Sequence, residues 1–456
     1  MWKPTIDATS DKKLYLQICD GVAQAIVSGE LKRGEQLPTV RALSALLNVT
    51  PGTITRAFDE GVQRGIIEKT QGKGTFVKQQ KQGRTISAAM LPGRKDVFDF
   101  TLNQPACLNI EHILSTHLQN LARQNDPRLW SVYGDTRGLP EHRESMADWL
   151  NLRGNNADPE NLFLLAGAQQ GLLSSLMLLC NKGDTVMVQE TTFPGIRAIA
   201  TLLGLQLQPV AMDEYGLDLN DFKARCKQAT SQVLVILPTA HNPTGKTLSQ
   251  SHREKLVKIA RKYDIYLVED DIYLHAEPVV SLQQLAPERT FHVSGFSKCV
   301  APALRAGMLV CPPQFTGSLA RVIQAQNWFT PPVTTELAHR LHTSGDAVTI
   351  EQARREDSIE RIALAKGILG EKRIQYDPVN LHIWLKHSPR LDNAAVISRL
   401  NQLGVDALPS VFFHVTETSS AHLRLCLGNL TPENLQQGLE IIARELNPSL
   451  PERAII

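Results

Sequence analysis

The chain has 456 residues, more than one hydrophobic core usually serves, so at least two domains are expected. Its composition is that of an ordinary soluble protein, 42% apolar and 21% charged, and a net charge of +2 names no partner. No apolar run approaches the ~18–20 residues of a membrane span, and the seven scattered cysteines, never spaced as Cys-x-x-Cys, argue against a disulfide framework or a zinc site and for a cytoplasmic protein.

The first stretch, "MWKPTIDATSDKKLYL", has no apolar core or small-residue cleavage site, so no secretory signal is expected. Leu14, Ile18, Val22 and Ile26 then recur at four-residue spacing, which predicts an amphipathic helix ending near Gly29. Two short helices follow. Thr39 is the expected cap of the first, with Leu43, Leu46 and Leu47 inward, and Asn48 and Val49 make the turn. Thr50 caps the second, Pro51 sits at its first position, and Ile54, Phe58 and Val62 face inward, leaving Thr53 and Arg56 outward. A helix, a tight turn and a second helix with short polar and basic groups outward is a helix-turn-helix, whose second helix enters a DNA major groove. "IIEKTQGKGTFV" reads as a hairpin with a Gly-Lys-Gly tip, a wing able to approach a minor groove or phosphates.

The run from Ser28 to Val77, "SGELKRGEQLPTVRALSALLNVTPGTITRAFDEGVQRGIIEKTQGKGTFV", resembles the winged helix of GntR-type regulators. The resemblance implies that Arg41, Thr50, Gly52, Thr53 and Arg56 face double-stranded operator DNA, together with wing residues Gly72, Lys73 and Gly74. The family often carries a basic or polar residue where Pro51 stands. Residues 1–77 are the expected DNA-binding domain, and 78–98, polar with Gly and Pro and without periodicity, the connector.

From residue 99 onward, short apolar runs alternate with helical stretches: "NLFLLAG", "DTVMVQE", "QVLVILPTAHNPTG", "YDIYLVEDD" and "TFHVSGFSK". That order predicts a mostly parallel sheet covered on both faces, with ligands beyond the carboxyl ends of its strands. Unusual residues collect at those ends. Gly167, Ala168 and Gln169 open a helix whose N–H groups suit a phosphate. Phe193 offers a ring for stacking, Asn242 an amide, Asp270 and Tyr273 an acid and a phenol, Lys298 an amine and Arg305 a guanidinium. A ring binder, a phosphate binder, an acid for a ring nitrogen, two donors for a ring oxygen and a lysine for an aldehyde are what pyridoxal 5′-phosphate (PLP) needs. Each piece alone is an ordinary turn, core or surface residue; their order and shared placement carry the reading. Toward the end, "NLHIWLKH", "VDALPSVFFH" and "HLRLCLGN" read as strands. "TPENLQQGLEIIARELN" reads as a helix capped by Thr431, with Leu435, Leu439 and Ile442 inward.

"YGDTRGLPEHR", "GAQQGL", "TTFPG", "HNPTG", "EDDIY", "SGFSKCVAPALRAG" and "HLRLCLGN" resemble a fold type I aminotransferase over residues 99–456, with a large part at about 99–340 and a small part at about 341–456. The fusion to a GntR-type winged helix resembles the MocR (GabR-like) regulators. The resemblance implies that Lys298 bonds the PLP aldehyde, Asp270 pairs with the pyridine nitrogen, and Asn242 and Tyr273 bond the ring oxygen. It places Phe193 on the ring and Ala168, Gln169, Ser297 and Arg305 around the phosphate. Tyr133 would reach the phosphate of a partner subunit in a homodimer, and Arg424 would bind the carboxylate of an amino acid. Where Gly295 stands the family usually has Ser or Thr, so the expectation is that one phosphate contact is missing or is taken over by Ser294. The expectation is a PLP-dependent regulator that binds an operator and senses an amino acid, an amine or a PLP vitamer; the alternative is a working aminotransferase with a DNA-binding appendage.

Overall fold

The computed structural model describes residues 2–446 apart from 5, 7–11, 29, 32–33, 64–65, 71–73, 78–96, 109, 229, 274, 277–278 and 417–419. The chain divides into two compact units, Met1–Ala88 and Ala89–Ile456. Most of the expected connector, and with it the boundary, lies outside the described residues, as do wing residues Gly72 and Lys73.

The first unit is built on α1 (Leu14–Ser28), α2 (Val40–Leu47) and α3 (Pro51–Gln63). Thr39 accepts from the Ala42 N–H at 3.2 Å, and the chain turns at Asn48 in the left-handed region (φ 51°). Ile18, Val22, Leu43, Ile54, Ala57 and Phe58 form the core of the three helices. Two expected core positions are corrected. Leu46 and Val62 are 43% and 42% exposed, whereas Ala57 and Ile67 are in the core; Val62 lies in the last turn of α3, past the interior. Beyond α3, β1 (Ile67–Thr70) and β2 (Gly74–Val77) pair antiparallel in the register Ile67–Val77 to Thr70–Gly74. Gln36 bridges to Phe76, so the segment before α2 adds a third edge to this wing.

In the second unit, β3 (Phe98–Asp99) pairs with Val405–Asp406, so Phe98 belongs to the sheet pairing and not to the connector. A helix, α4 (Pro140–Asn151), precedes the main sheet. The sheet is built from β4 (Leu162–Leu165), β5 (Thr185–Gln189), β6 (Gln206–Val210), β7 (Val233–Ile236), β8 (Tyr266–Asp270), β9 (Thr290–Gly295) and β10 (Gly307–Val310). Spatial order is β4-β10-β9-β8-β7-β5-β6. β10 runs antiparallel to both neighbours, and the pairs among β5 to β9 are parallel. β4, β7 and β10 are buried at every position, which explains their unbroken apolar runs. Helices α5 (Ala168–Leu179) and α6 (Pro194–Leu203) follow β4 and β5, as βαβ connections require.

The long helix α7 (Asp346–Leu369) leads to a four-stranded antiparallel sheet containing β11 (His382–Lys386) and β12 (His422–Cys426). Phe100, Ile383, Leu423, Leu425 and Leu439 belong to its core. The last helix, α8 (Pro432–Leu446), buries Leu435, Leu439 and Ile442 as its spacing requires. "VDALPSVFFH" is not one strand: Val405–Asp406 pairs with Phe98–Asp99, Leu408–Pro409 pairs with β12, and a 3-10 turn follows at Ser410–Phe412.

Candidate functional site

The carboxyl ends of β4, β5, β8 and β9 point the unusual residues to one region. Gly167, with φ 97°, turns the chain from β4 into α5. The positive φ favours glycine there, and a Cβ would displace the Arg305 guanidinium, which lies 2.2 Å from its position. No side chain caps α5, so the amides around Ala168 and Gln169 keep their anion-binding capacity. Arg305 donates to Ser297 Oγ (3.2 Å) and to the Ala166 carbonyl (3.3 Å). Gln169 donates to the Gly195 carbonyl (3.3 Å), and Phe193 lies against the same glycine. Thus Ala168, Gln169, Ser297, Arg305 and Phe193 come together. Ser294 does not join them: its hydroxyl donates to the Asp271 carbonyl at 2.7 Å. Gly295 cannot carry a side chain either, since a Cβ would meet the Ala306 carbonyl oxygen at 2.7 Å across the β9–β10 pair.

Asp270 ends β8 and is 2% exposed, and its Oδ1 has no hydrogen-bond partner among the described residues. Burial, with the neighbouring Asp271 charge, pushes its carboxyl up to about 7, against the pull of His292 and Lys298. Lys298 follows β9, and its ammonium donates to the Asn103 carbonyl. Burial brings it down to about 8; Cys426 and Asp270 oppose this, and the positive charges of Arg424 and Arg305 assist it. Tyr273 is buried, which raises its phenol above the ordinary value, and its hydroxyl accepts from Asn103 Nδ2 at 2.7 Å. No helix intervenes between Asp270 and Tyr273; the segment is a turn. Asn242 is 2% exposed with Oδ1 unpartnered.

Arg424, on β12, is buried. It donates to the Thr101 carbonyl and lies over the Phe413 ring at 5.1 Å, yet it pairs with no carboxylate among the described residues. A buried guanidinium without a counter-ion is costly. Its charge is felt by Tyr273, Lys298 and His382, so the two sheets meet at one cradle. Tyr133 stands apart: it is 82% exposed, with Trp328 and Phe329 rings 6.0 Å away.

Sequence reasoning missed Asn103 and Thr192, whose Oδ1 and Oγ1 are buried and unpaired, and His382, whose ring lies 5.6 Å from Tyr273. No motif surrounds them; a single Asn after a connector carries no signal. A second ring of buried charge was also missed. Glu269 accepts from His292 Nδ1 (2.8 Å) and faces Arg253 (3.5 Å). Asp271 faces His275 Nε2 at 2.8 Å; burial opposes its charge, but His275 holds its carboxyl well below the ordinary range.

The residues present fit PLP. The unpartnered Asp270 oxygen suits a protonated ring nitrogen, and the uncapped helix with Arg305 suits a phosphate. The family comparison decides the question of kinship: the aminotransferase class I and II family matches residues 95–442. The chain belongs to that family. Residues 14–77 match the bacterial regulatory proteins of the gntR family. The pair of domains is that of the MocR-type regulators. The chain is 26% identical over 453 residues to the uncharacterized HTH-type transcriptional regulator YdeF of Bacillus subtilis, covering 98% of this chain and 97% of that one. It is 24% identical to the probable rhizopine catabolism regulatory protein MocR of Rhizobium meliloti, covering 70% and 72%. Among solved structures, the kynurenine aminotransferase of Pyrococcus horikoshii superposes with a TM-score of 0.73 at 20% identity, covering 82% of this chain and 99% of that one.

In the first unit, Arg41, Thr50, Gly52, Arg56 and Gly74 are exposed and Thr53 is half-buried. Thr50 Oγ1 caps α3 through the Thr53 N–H (3.3 Å) and lies 2.9 Å from the Thr53 hydroxyl. Both hydroxyls are therefore engaged within the turn. Arg56 rests over the Tyr15 ring at 5.7 Å, which orients its guanidinium from α1. Lys69 of the wing is paired with Asp59 at 2.5 Å.

Proposed function

We propose that the chain is a cytoplasmic, dimeric transcriptional regulator that binds operator DNA through α3 and the wing, holds PLP at Lys298, and senses an amino acid or amine there. The observation that carries the reading is the set of groups in one cradle without a hydrogen-bond partner among the described residues, Asp270 Oδ1, Asn242 Oδ1 and Arg424 Nε, on a chain that also presents a helix-turn-helix.

Bound PLP supplies an aldehyde that condenses with amines and a pyridinium ring that withdraws electrons. The chain's own groups do the rest. Lys298, with its amine lowered to about 8, loses its proton more readily than an ordinary lysine, and the neutral amine is the form that would condense with an aldehyde. Asp270 holds the proton on the ring nitrogen, because a cationic partner removes the cost of its burial. Tyr273 stays protonated and donates to the ring oxygen beside Asn242. Ala168, Gln169, Ser297 and Arg305 hold the phosphate, and Phe193 covers the ring. Arg424 takes the carboxylate of the incoming amino acid in a planar fork. Tyr133, left exposed, reaches the phosphate of the partner subunit. A two-fold dimer fits paired half-sites. The effector shifts operator affinity only by its difference in affinity for the two states.

A second reading, a working aminotransferase, is favoured by one observation: Asn242 and Arg424, which a substrate needs, are both kept. The test is operator affinity of the PLP-loaded protein across a panel of amino acids and amines, with the products assayed in the same samples. A ligand that alters affinity without being consumed supports the regulator. Steady keto-acid release with operator affinity unmoved by every ligand supports the enzyme.

A further inference from the structure

Asn103 touches both Lys298 and Tyr273. Its carbonyl accepts from the Lys298 ammonium, and its Nδ2 donates to the Tyr273 hydroxyl at 2.7 Å. The segment that carries it is pinned on both sides. The Thr101 carbonyl accepts from Arg424, and Gln104 Nε2 donates to Asn429 Oδ1 at 2.6 Å. The Ala106 carbonyl accepts from Arg354 of α7 at 2.8 Å. The same guanidinium donates twice to the Val300 carbonyl, at 3.0 and 2.6 Å, two residues past Lys298. Arg354 is 3% exposed, so one buried clamp fixes the Asn103 segment against the Lys298 loop.

The direction of the bond to Tyr273 decides what the phenol can do. A phenol has one proton to give and lone pairs to receive. Tyr273 is 2% exposed, and burial keeps its proton on. An amide N–H can only donate, so Asn103 occupies a lone pair of the phenol oxygen and leaves the proton uncommitted. Among the described residues Asn103 is the one hydrogen-bond partner of that hydroxyl. Asn103 Oδ1 has no partner among them, so no second bond competes for the amide. An amide turned the other way would take the phenol proton with Oδ1 and leave none for a ligand.

We propose that Asn103 is the positioning residue of the Tyr273 phenol, leaving its single proton for the ring oxygen of PLP. This role rests on Lys298 and Tyr273 holding PLP as proposed above. Asn103→Asp reverses the bond, because a carboxylate accepts and has no proton to give. Asn103→Leu removes the bond with a side chain of similar size.

The test is a cycle of four proteins titrated with PLP: wild type, N103D, Y273F and N103D/Y273F, with folding checked by circular dichroism. The visible band reports PLP affinity and has a pH midpoint of its own. N103D and Y273F should each weaken PLP binding by about tenfold, the scale of a hydrogen bond to a charged oxygen. The double variant should be worse than either by no more than about twofold, since both changes remove the same bond. A ring oxygen that loses its donor is more basic, so each single variant should move the midpoint upward and the double variant no further. Arg424, Asp270, Cys426, Lys298 and His382, the other titratable groups around the phenol, are the same in all four proteins. Repulsion by the new carboxylate alone would persist beside Y273F. If N103D does not fold, N103L and N103L/Y273F decide: the loss of PLP affinity in N103L should vanish beside Y273F. Wild-type affinity and midpoint in N103D, or single losses that multiply in the double variant, overturn the role of Asn103. No band in the wild type overturns the PLP reading itself, and this role with it.

Discussion

The two halves of the chain present their charges in opposite ways. Among the described residues of the aminotransferase-like half, Arg424 is 5% exposed and pairs with no carboxylate, and Asp270 is 2% exposed with an unbonded oxygen. In the helix-turn-helix half, Arg41 and Arg56 are exposed, and the Thr50 and Thr53 hydroxyls are bonded to each other. A buried group cannot fall back on water, so its missing partner describes the ligand. An exposed group has water as a partner whether or not DNA is present. On the proposed reading, the unpartnered groups of the cradle therefore constrain its occupant more closely than the exposed groups of the helix-turn-helix constrain theirs.

The comparison is broken most directly at the buried end. Arg424→Gln removes the buried cation proposed to take the amino-acid carboxylate, at about 1.5–3 kcal/mol per charge-assisted hydrogen bond. Affinity for amino-acid ligands should fall by at least tenfold, measured by titration of the PLP-loaded protein, while PLP binding persists. Unchanged affinity would mean that the carboxylate binds elsewhere. Arg56→Ala and Arg41→Ala should each weaken operator binding by about 1–3 kcal/mol if a base edge is read. If only a phosphate is contacted, the salt slope should drop by roughly one. Gel-shift titrations on duplexes selected from a random pool separate the two, and wild-type affinity and slope would remove the recognition helix from its assigned place.

A pH measurement sharpens the same contrast. Asp270 has its carboxyl raised to about 7 in the fold, above an unfolded value near 3.9. Between those values the folded state binds the extra proton, so this group makes the PLP-free protein lose stability as pH rises from about 4 through 7. Asp270→Asn should flatten that part of the profile and raise the melting temperature of the PLP-free protein at pH 8. Saturating PLP should abolish the wild-type loss. Identical profiles for wild type and D270N without PLP would show that Asp270 is not the strained group. The smallest effect is expected in the turn: Thr50→Ala should cost about 1 kcal/mol as a lost cap, read in the unfolding of the N-terminal unit.

How much was legible in the sequence follows the same line. Strands such as Leu162–Leu165 and Val233–Ile236 are buried on both faces, and continuous apolar runs betray them. The cradle residues that stand in motifs, from Gly167 to Arg305, were readable because each follows a strand. Asn103 was not: it bonds Tyr273 across 170 positions, and only the folded chain brings them together. Helix faces misled where packing is shallow. Val62 keeps the four-residue spacing of Ile54 and Phe58 but lies at the end of α3, past the interior. Ser294 was expected at the phosphate because of its position in sequence; strand alternation and the Asp271 carbonyl turn it the other way.

The most direct test of the central claim is the visible absorption of the purified protein titrated with PLP, beside Lys298→Ala. The account predicts a saturable visible band in the wild type that Lys298→Ala lacks, because the lysine amine is the group that condenses with the aldehyde. No band in the wild type, or the same band in both proteins, would contradict it.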